Sequence, residues 1–306
     1  MTPAAAESEF ARVVRVKRLL TKAKKGLPET CSFYNTLYMH TKFLDKCEFF
    51  IPQDKRLDTI IMWKMAKIGK ATRPKHQQVG LLNYDRPEAV MKLLNKTRLL
   101  DWTLPTSFLH LPAPLVDPIT QMLQRKFTGH THTWRGTQFI MDKKSQKGVP
   151  LRCPSGYRLA HLGKRGITLM LKTSQFSSVY TLAEFQDFSA NVPCVGLFLD
   201  PSQKEDYTVD KKLPQADDAD FPILYVAVCY SGAIGMLGCD ENHWQDGLVG
   251  LLVQVCGRLM ADMGLISNIC VQDSNVALRS VMDLLPGWET GSAVTRAWTC
   301  DGTLCP

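Results

Sequence analysis

Residues 221–264 constrain this chain more than any other stretch. Phe221–Tyr230 (FPILYVAVCY) is an apolar run of strand length, Ser231-Gly232 is a tight turn, and Ala233–Cys239 (AIGMLGC) is a second such run, which together read as a β-hairpin. A polar turn over 240–245 (DENHWQ) leads into Gly247–Met263, the longest helical pattern, with Leu248, Leu251, Leu252, Val255 and Leu259 on one face and Gly264 placed as its C-cap. Ile266–Gln272 then reads as a strand, Asn275–Leu285 as a helix and Trp288–Thr299 as one or two closing strands. Paired strands joined through a long helix to a further strand must bury one sheet face under helices, so the fold class is α/β (α+β).

Upstream the pattern continues, with Tyr157–Leu162 and Cys194–Asp200 as strands, Ile167–Lys172 and Leu182–Ala190 as helices, and an acidic loop over 200–220. In the N-terminal half, Arg12–Lys25 fits a basic helix whose apolar stripe runs through Val13, Val16, Leu20 and Ala23, ended by Gly26-Leu27-Pro28. Cys31–Met39, Phe49–Pro52 and Thr59–Trp63 read as strands, and Arg86–Leu94 as a helix with Pro87 in its first turn. Four prolines in 103–118 predict an irregular connector, and 142–156 (DKKSQKGVPLRCPSG) predicts a linker. A length of 306 residues suits two domains, drawn here as 1–150 and 151–306, with no internal repeat evident.

Charge separates the halves as well. Residues 1–175 hold 31 Lys and Arg against 12 Asp and Glu, an excess of 19, and the remainder holds 6 against 17, a deficit of 11. The basic half suits either an anionic partner or solvated helix faces docked on an acidic neighbour; with no aromatic residues interleaved along the basic helix, nucleic acid is not the expected partner. No apolar run reaches the roughly 20 residues of a membrane span, so none is expected. Glu7 and Glu9 break the order of a secretion signal, which points to an intracellular protein, cytoplasmic or mitochondrial. The ten cysteines then read as buried or free thiols, and with no CxxC and only His130-Thr-His132 as a metal-like spacing, no metal is expected.

The candidate chemistry sits where the second hairpin strand meets the long helix. A helix N-terminus offers unpaired N–H groups and the positive end of a dipole, a natural seat for phosphate, and Gly247 and Gly250 allow close backbone approach. Taken alone, glycines opening a helix are as often packing as binding residues.

The order of elements over 157–306 resembles the GNAT acyltransferase fold, and within it the glycine N-acyltransferases. The carrying residues are Trp244-Gln245-Asp246-Gly247-Leu248-Val249, Met263-Gly264-Leu265, Ser274-Asn275-Val276-Ala277 and Gly287-Trp288, joined in the N-terminal half by Tyr34-Asn35-Thr36-Leu37-Tyr38, the strand before Trp63, and Leu99-Leu100-Asp101-Trp102. The resemblance implies a GNAT-type mixed sheet flanked by helices, preceded by a related mixed α/β N-terminal domain. It also implies acyl transfer from acyl-CoA or acetyl-CoA, as co-substrate, to a small amine or amino acid without a covalent enzyme intermediate. By the same resemblance, backbone groups at Leu237 and Cys239 would hold the pantetheine arm, the turn from Trp244 through Gln245, Asp246, Gly247, Leu248 and Val249 to Gly250 would hold the pyrophosphate, and Asn275 would face the co-substrate. Three positions depart from the family pattern: Trp244 stands for Arg or Gln, Asp246 adds a negative charge at the helix start, and Gly232-Ala233 replaces the Gly-Glu that supplies a basic glutamate. Asp240, Glu241 and His243 are the candidate replacement bases, His243 foremost because an imidazole titrates near neutral pH. The same three residues read more readily as solvated turn positions, and the alternative function is a GNAT-fold binding or regulatory protein without turnover.

Overall fold

A computed structural model describes residues 10–12, 16–27, 30–44, 47–54, 60–65, 76–82, 86–141, 145, 150–174, 181–209, 212–239, 243 and 246–300. In chain order the described elements are β1 (Phe10–Arg12), α1 (Lys17–Lys25), α2 (Cys31–Met39), β2 (Cys47–Pro52), β3 (Ile61–Met65), β4 (Gln77–Leu82), α3 (Pro87–Lys96), β5 (Thr106–Leu111), α4 (Ala113–Lys126) and β6 (His130–Met141). They continue with β7 (Arg152–Cys153), β8 (Tyr157–His161), α5 (Lys164–Thr173), α6 (Leu182–Ser189), β9 (Cys194–Leu199), β10 (Tyr207–Thr208), β11 (Leu224–Val228), β12 (Ile234–Cys239), α7 (Asp246–Asp262), β13 (Asn268–Gln272), α8 (Val276–Leu284) and β14 (Trp288–Cys300). The mixed α/β class holds: mixed sheets carry helices throughout.

Contacts divide the chain into a first unit of residues 1–25, 45–135 and 293–305 and a second of 26–44, 136–292 and 306. These units are assembled from separated stretches, whereas the sequence reading drew one boundary near 150. In the first unit β1, β2, β3 and β4 run antiparallel in succession, α3 crosses over, and β5 pairs parallel to β4. In the second, β8, β9, β11 and β12 run antiparallel, α7 crosses over, and β13 pairs parallel to β12. The same order therefore occurs twice, although no repeat is visible in the residues. Each fifth strand gains an antiparallel neighbour from far along the chain: β14 beside β5 (Thr295↔Leu111 to Trp298↔Ser107), and β6 beside β13 (Gly136↔Gln272 to Ile140↔Asn268).

The first unit closes one sheet face with α3 and α4. Val79, Phe108 and Ala297 pack there under Val90, Leu94, Ile119 and Leu123, all within 1% of full burial. Two sequence expectations fail here. Residues 103–118 form β5 and the start of α4 rather than a connector. Its prolines sit where no amide is needed: Pro105 precedes the strand, Pro112 is the helix N-cap and Pro114 lies in the first turn, while Pro118 is accommodated inside the helix. Cys31–Met39 is a helix rather than a strand; its aromatic composition is overridden by burial of Cys31, Ser32, Phe33, Asn35, Thr36, Leu37 and Met39 in the second unit. The predicted linker carries β7, paired antiparallel with β10 through Arg152↔Thr208 and Cys153↔Tyr207; residues 142–144 and 146–149 lie outside the described residues.

α2 is held by side-chain amides. Asn35 Nδ2 donates to the carbonyls of Gly232 and Ile266, both at 2.7 Å, and Asn35 Oδ1 accepts from Ile266 N–H at 2.8 Å. Asn268 Nδ2 reaches the same two carbonyls at 3.0 and 2.9 Å. Its Oδ1 accepts from Ser32 Oγ at 3.2 Å, and Ser32 Oγ accepts from Gln138 Nε2 at 3.0 Å. Asn35 and Asn268 are wholly buried, so each bond is made in a low-dielectric interior where a missing partner is costly. Cys31, Cys47, Cys153, Cys194, Cys229, Cys239, Cys256 and Cys270 are outside any disulfide, while Cys300 is disulfide-bonded, against the expectation for that position.

Asn35→Ala should cost about 2–4 kcal/mol in urea unfolding, because it orphans Ile266 N–H and opens a void, while the two carbonyls keep Asn268. A second expectation concerns two histidines of the first unit. Burial, then the nearby Arg296 charge, pushes His76 down to about 3 and His110 to about 4 from an ordinary 6.5. Between pH 6.5 and 4 the unfolded chain binds protons that the folded one refuses, so stability should fall as pH drops through that window. Urea midpoints at pH 7.5 and 5 measure the slope, and His76→Phe should flatten it.

Candidate functional site

The hairpin turn is tight for a steric reason. Gly232 has φ +72°, and a Cβ there would stand 2.4 Å from the Asn35 Cβ. Gly232 N–H donates to Cys229 O and Cys229 N–H to Ala233 O, both at 2.8 Å, which closes the turn and launches β12. β12 then departs from regularity. Tyr225 pairs with Gly238 and Ala227 with Gly235, so β12 holds one residue more than β11 over the same span. Met236, at φ +50°, lies in this bulge in a backbone region that a non-glycine residue seldom adopts.

Beyond the bulge β12 leaves its other neighbour. β12 and β13 are in parallel register at Ile234↔Ile269 alone, although each continues for several residues. The corresponding strands of the first unit, β4 and β5, stay in register from Gln77↔Thr106 to Gly80↔Leu109. Burial agrees: β11 is buried along its whole length, whereas β12 is buried at Ile234 and only half-buried from Gly235 to Cys239. An interior strand exposed along one flank offers backbone donors and acceptors to a third extended partner. Leu237 and Cys239 lie on this stretch.

α7 begins after β12 with Asp246 as its first residue. Gly247 is exposed, and a Cβ there would meet nothing within 4 Å, so packing does not explain this glycine. Gly250 is different: a Cβ would lie 3.3 Å from Leu285 Cδ1 and 3.8 Å from Val281 Cγ1, which makes it a contact residue for α8. Leu248 and Val249 are buried, so only their amides are available near the helix start. His243 is described and half-buried in the connecting turn, while Asp240, Glu241, Trp244 and Gln245 lie outside the described residues. Asn275 caps α8, its Oδ1 accepting from Leu278 N–H at 3.1 Å. Ala233 is 4% exposed.

Two features escaped sequence reading: the bulge, for which Met236 gives no signal, and Tyr225, whose hydroxyl lies over Gly238 and bonds Thr173 Oγ1 on α5. Six thiols, Cys31, Cys47, Cys153, Cys194, Cys256 and Cys270, have their pKa raised chiefly by burial, which makes them poor nucleophiles. Burial pushes Cys31 up to about 12 and likewise raises Cys194, Cys256 and Cys270. Among the described residues, no group of three or more His, Cys, Asp or Glu could hold a metal, and no helix is long and apolar enough to cross a membrane.

No protein-family model matches the chain, and no curated protein matches it in sequence. Solved structures do. An X-ray structure of a Drosophila protein matches with a TM-score of 0.78 at 12% identity, covering 96% of this chain and 99% of that one. A GCN5-related N-acetyltransferase from Sphaerobacter thermophilus scores 0.47 at 10% identity, covering 95% and 96%. A GCN5-related N-acetyltransferase-like protein from Streptococcus suis scores 0.44 at 11%, covering 92% and 97%. At these identities the Drosophila match establishes a shared fold over nearly the whole of both chains, and the two weaker ones add nothing to it.

Two glycine substitutions separate fold from site. Gly238→Ala sets a Cβ 2.0 Å from the Tyr225 hydroxyl, so the ring must swing off Thr173, at about 1–3 kcal/mol in thermal or urea unfolding. Gly247→Ala enters open space and should leave the melting temperature unchanged or slightly higher.

Proposed function

We propose that the chain is an acyl-CoA-dependent N-acyltransferase of the glycine N-acyltransferase type, passing an acyl group to a small amine or amino acid. The observation that carries this reading is the parting of β12 from β13 after a single register pair, beside a helix N-terminus whose first glycine faces open space. A pantetheine arm is a chain of amides and needs an extended backbone edge, which the stretch from Leu237 to Cys239 would supply. A pyrophosphate needs clustered N–H donors and a positive dipole end, which Gly247, Leu248 and Val249 would supply at the start of α7. On this reading 151–306 is the acyl-CoA-binding part and 1–150 a related glycine N-acyltransferase-like part; β4 and β5 hold register from Gln77↔Thr106 to Gly80↔Leu109, so among the described residues the first unit shows no parting after a single pair.

Transfer requires a proton to leave the amine and the thioester oxyanion to be met by a donor. His243, half-buried and four residues past the end of β12, is the proposed base, with Asp240 and Glu241 as the other candidates in the sequence between them. An amide of the bulge around Met236 is the proposed oxyanion donor, since the bulge turns the backbone out of the ladder there. Ala233, Trp244 and Asp246 favour a second reading, a GNAT-fold binding or regulatory protein without turnover.

Calorimetry with acetyl-CoA and longer acyl-CoAs is the first test. Saturable binding is expected, and its absence at millimolar ligand eliminates the enzyme reading and leaves the second. Among active preparations, His243→Ala should lower kcat by about a hundredfold with little change in acyl-CoA affinity. A variant whose pH–rate profile matches the parent rejects His243. Ala233→Glu would place a carboxylate at a buried position, where desolvation raises its pKa toward that of a working base, and should increase turnover.

A further inference from the structure

The charges of α1 oppose its own formation. Residues 10–28 hold seven Lys and Arg and no Asp or Glu. Lys17 and Arg18 stand in the first turn, at the positive end of the helix dipole, with no acidic residue beside them there. Arg18 and Lys22 are one turn apart, a spacing at which like charges repel. At nine residues the helix is also shorter than the roughly 12–15 that hold together alone in water. Packing of Leu19 and Ala23, both buried, therefore keeps it in place. That packing needs only one apolar stripe and leaves the cations unexplained.

Helical spacing puts Lys17, Arg18, Thr21, Lys24 and Lys25 on the side opposite Leu19 and Ala23, and all five are exposed. Among the described residues no carboxylate pairs with Lys17, Arg18, Lys24 or Lys25. An ion pair of the first unit, Arg12 with Glu48 at 3.3 Å, lies between β1 and β2 instead. α1 thus presents a face of four cations that the fold does not use.

The chemistry of that face narrows its partner to one kind. It carries no aromatic ring on which a base could stack. Three of its four cations are Lys, flexible point charges that respond to charge density, whereas an Arg fork selects planar, bidentate partners. Leu19 and Ala23 are already packed against the protein, so they are not available to enter acyl chains. We propose that the outer face of α1 docks reversibly on anionic lipid headgroups at a bilayer surface, held by charge alone. A fluid sheet of negative charge neutralises clustered cations without demanding a fixed register, and it relieves the repulsion along the helix. The assignment does not depend on acyl transfer, because none of these residues belongs to the site at the start of α7.

The test is cosedimentation of the full chain with vesicles of phosphatidylcholine and phosphatidylserine mixed two to one, against vesicles of phosphatidylcholine alone. Binding is expected to the mixed vesicles only, and about 0.5 M salt should abolish it by screening. Lys17→Gln combined with Arg18→Gln should lower the partition coefficient at least about tenfold. The same double variant should melt no lower than the parent, since those two cations oppose the dipole. Lys92→Gln combined with Lys96→Gln, at two exposed positions of α3, removes the same net charge and should leave binding unchanged. The proposal is overturned if neutral vesicles bind as well as mixed ones, if the α1 variant keeps full affinity, or if the α3 variant loses as much. Tighter binding of a short DNA duplex than of mixed vesicles, at equal salt and equal concentration of negative charge, would also overturn it and make the face a nucleic-acid surface.

Discussion

The second unit depends on two buried amides. Asn35 and Asn268 converge on the carbonyls of Gly232 and Ile266, and so tie a helix from the start of the chain to a hairpin turn and to the approach of β13. Burial makes this linkage nearly all-or-none, since a half-satisfied amide in a low-dielectric interior costs more than an apolar residue would. What the clamp fixes is the root of the parallel pair β12 and β13. Both strands leave from the clamped points, and Ile234↔Ile269 is the register pair next to them.

From that root the strands part, and the bulge at Met236 is the local reason. One extra residue in β12 keeps it paired with β11 while bending its other edge away. The first unit has its own bulge, between Thr295 and Ala297 opposite Phe108 to Leu111, with His110 at φ +53°. That irregularity lies between β5 and β14, so the β4–β5 ladder stays closed. Two units with one element order thus differ in where a single inserted residue falls, and that difference separates a filled sheet from one with an open edge.

Much of the second unit was legible in the residues. Period-2 and continuous apolar runs mark β9, β11 and β12, and the long period-3.6 stripe with Gly264 behind it marks α7. The reading failed where tertiary context decides. Cys31–Met39 has strand-like composition and becomes a helix because it is enclosed on most sides. The prolines near 112 read as breakers until their positions at a helix start are known. β4 carries Gln77 and Gln78 in a fully buried strand, and so shows no apolar run. At the site, spacing located Gly247 and the end of β12 but could not tell the open Gly247 from the packed Gly250, and Asn275 turned out to cap α8. Bulges leave no composition signal, which is why Met236 was invisible.

The exchange of closing strands bears on how the chain acquires its shape during synthesis. β5 finds its antiparallel neighbour in residues about 190 positions later, and α2 waits for Gly232 and Ile266, roughly as distant. Neither unit can complete its sheet while the ribosome is still making the middle of the chain. The N-terminal half must therefore persist with an uncovered strand edge beside β5 until residues 295–298 emerge, which places a premium on chaperones that shield β edges.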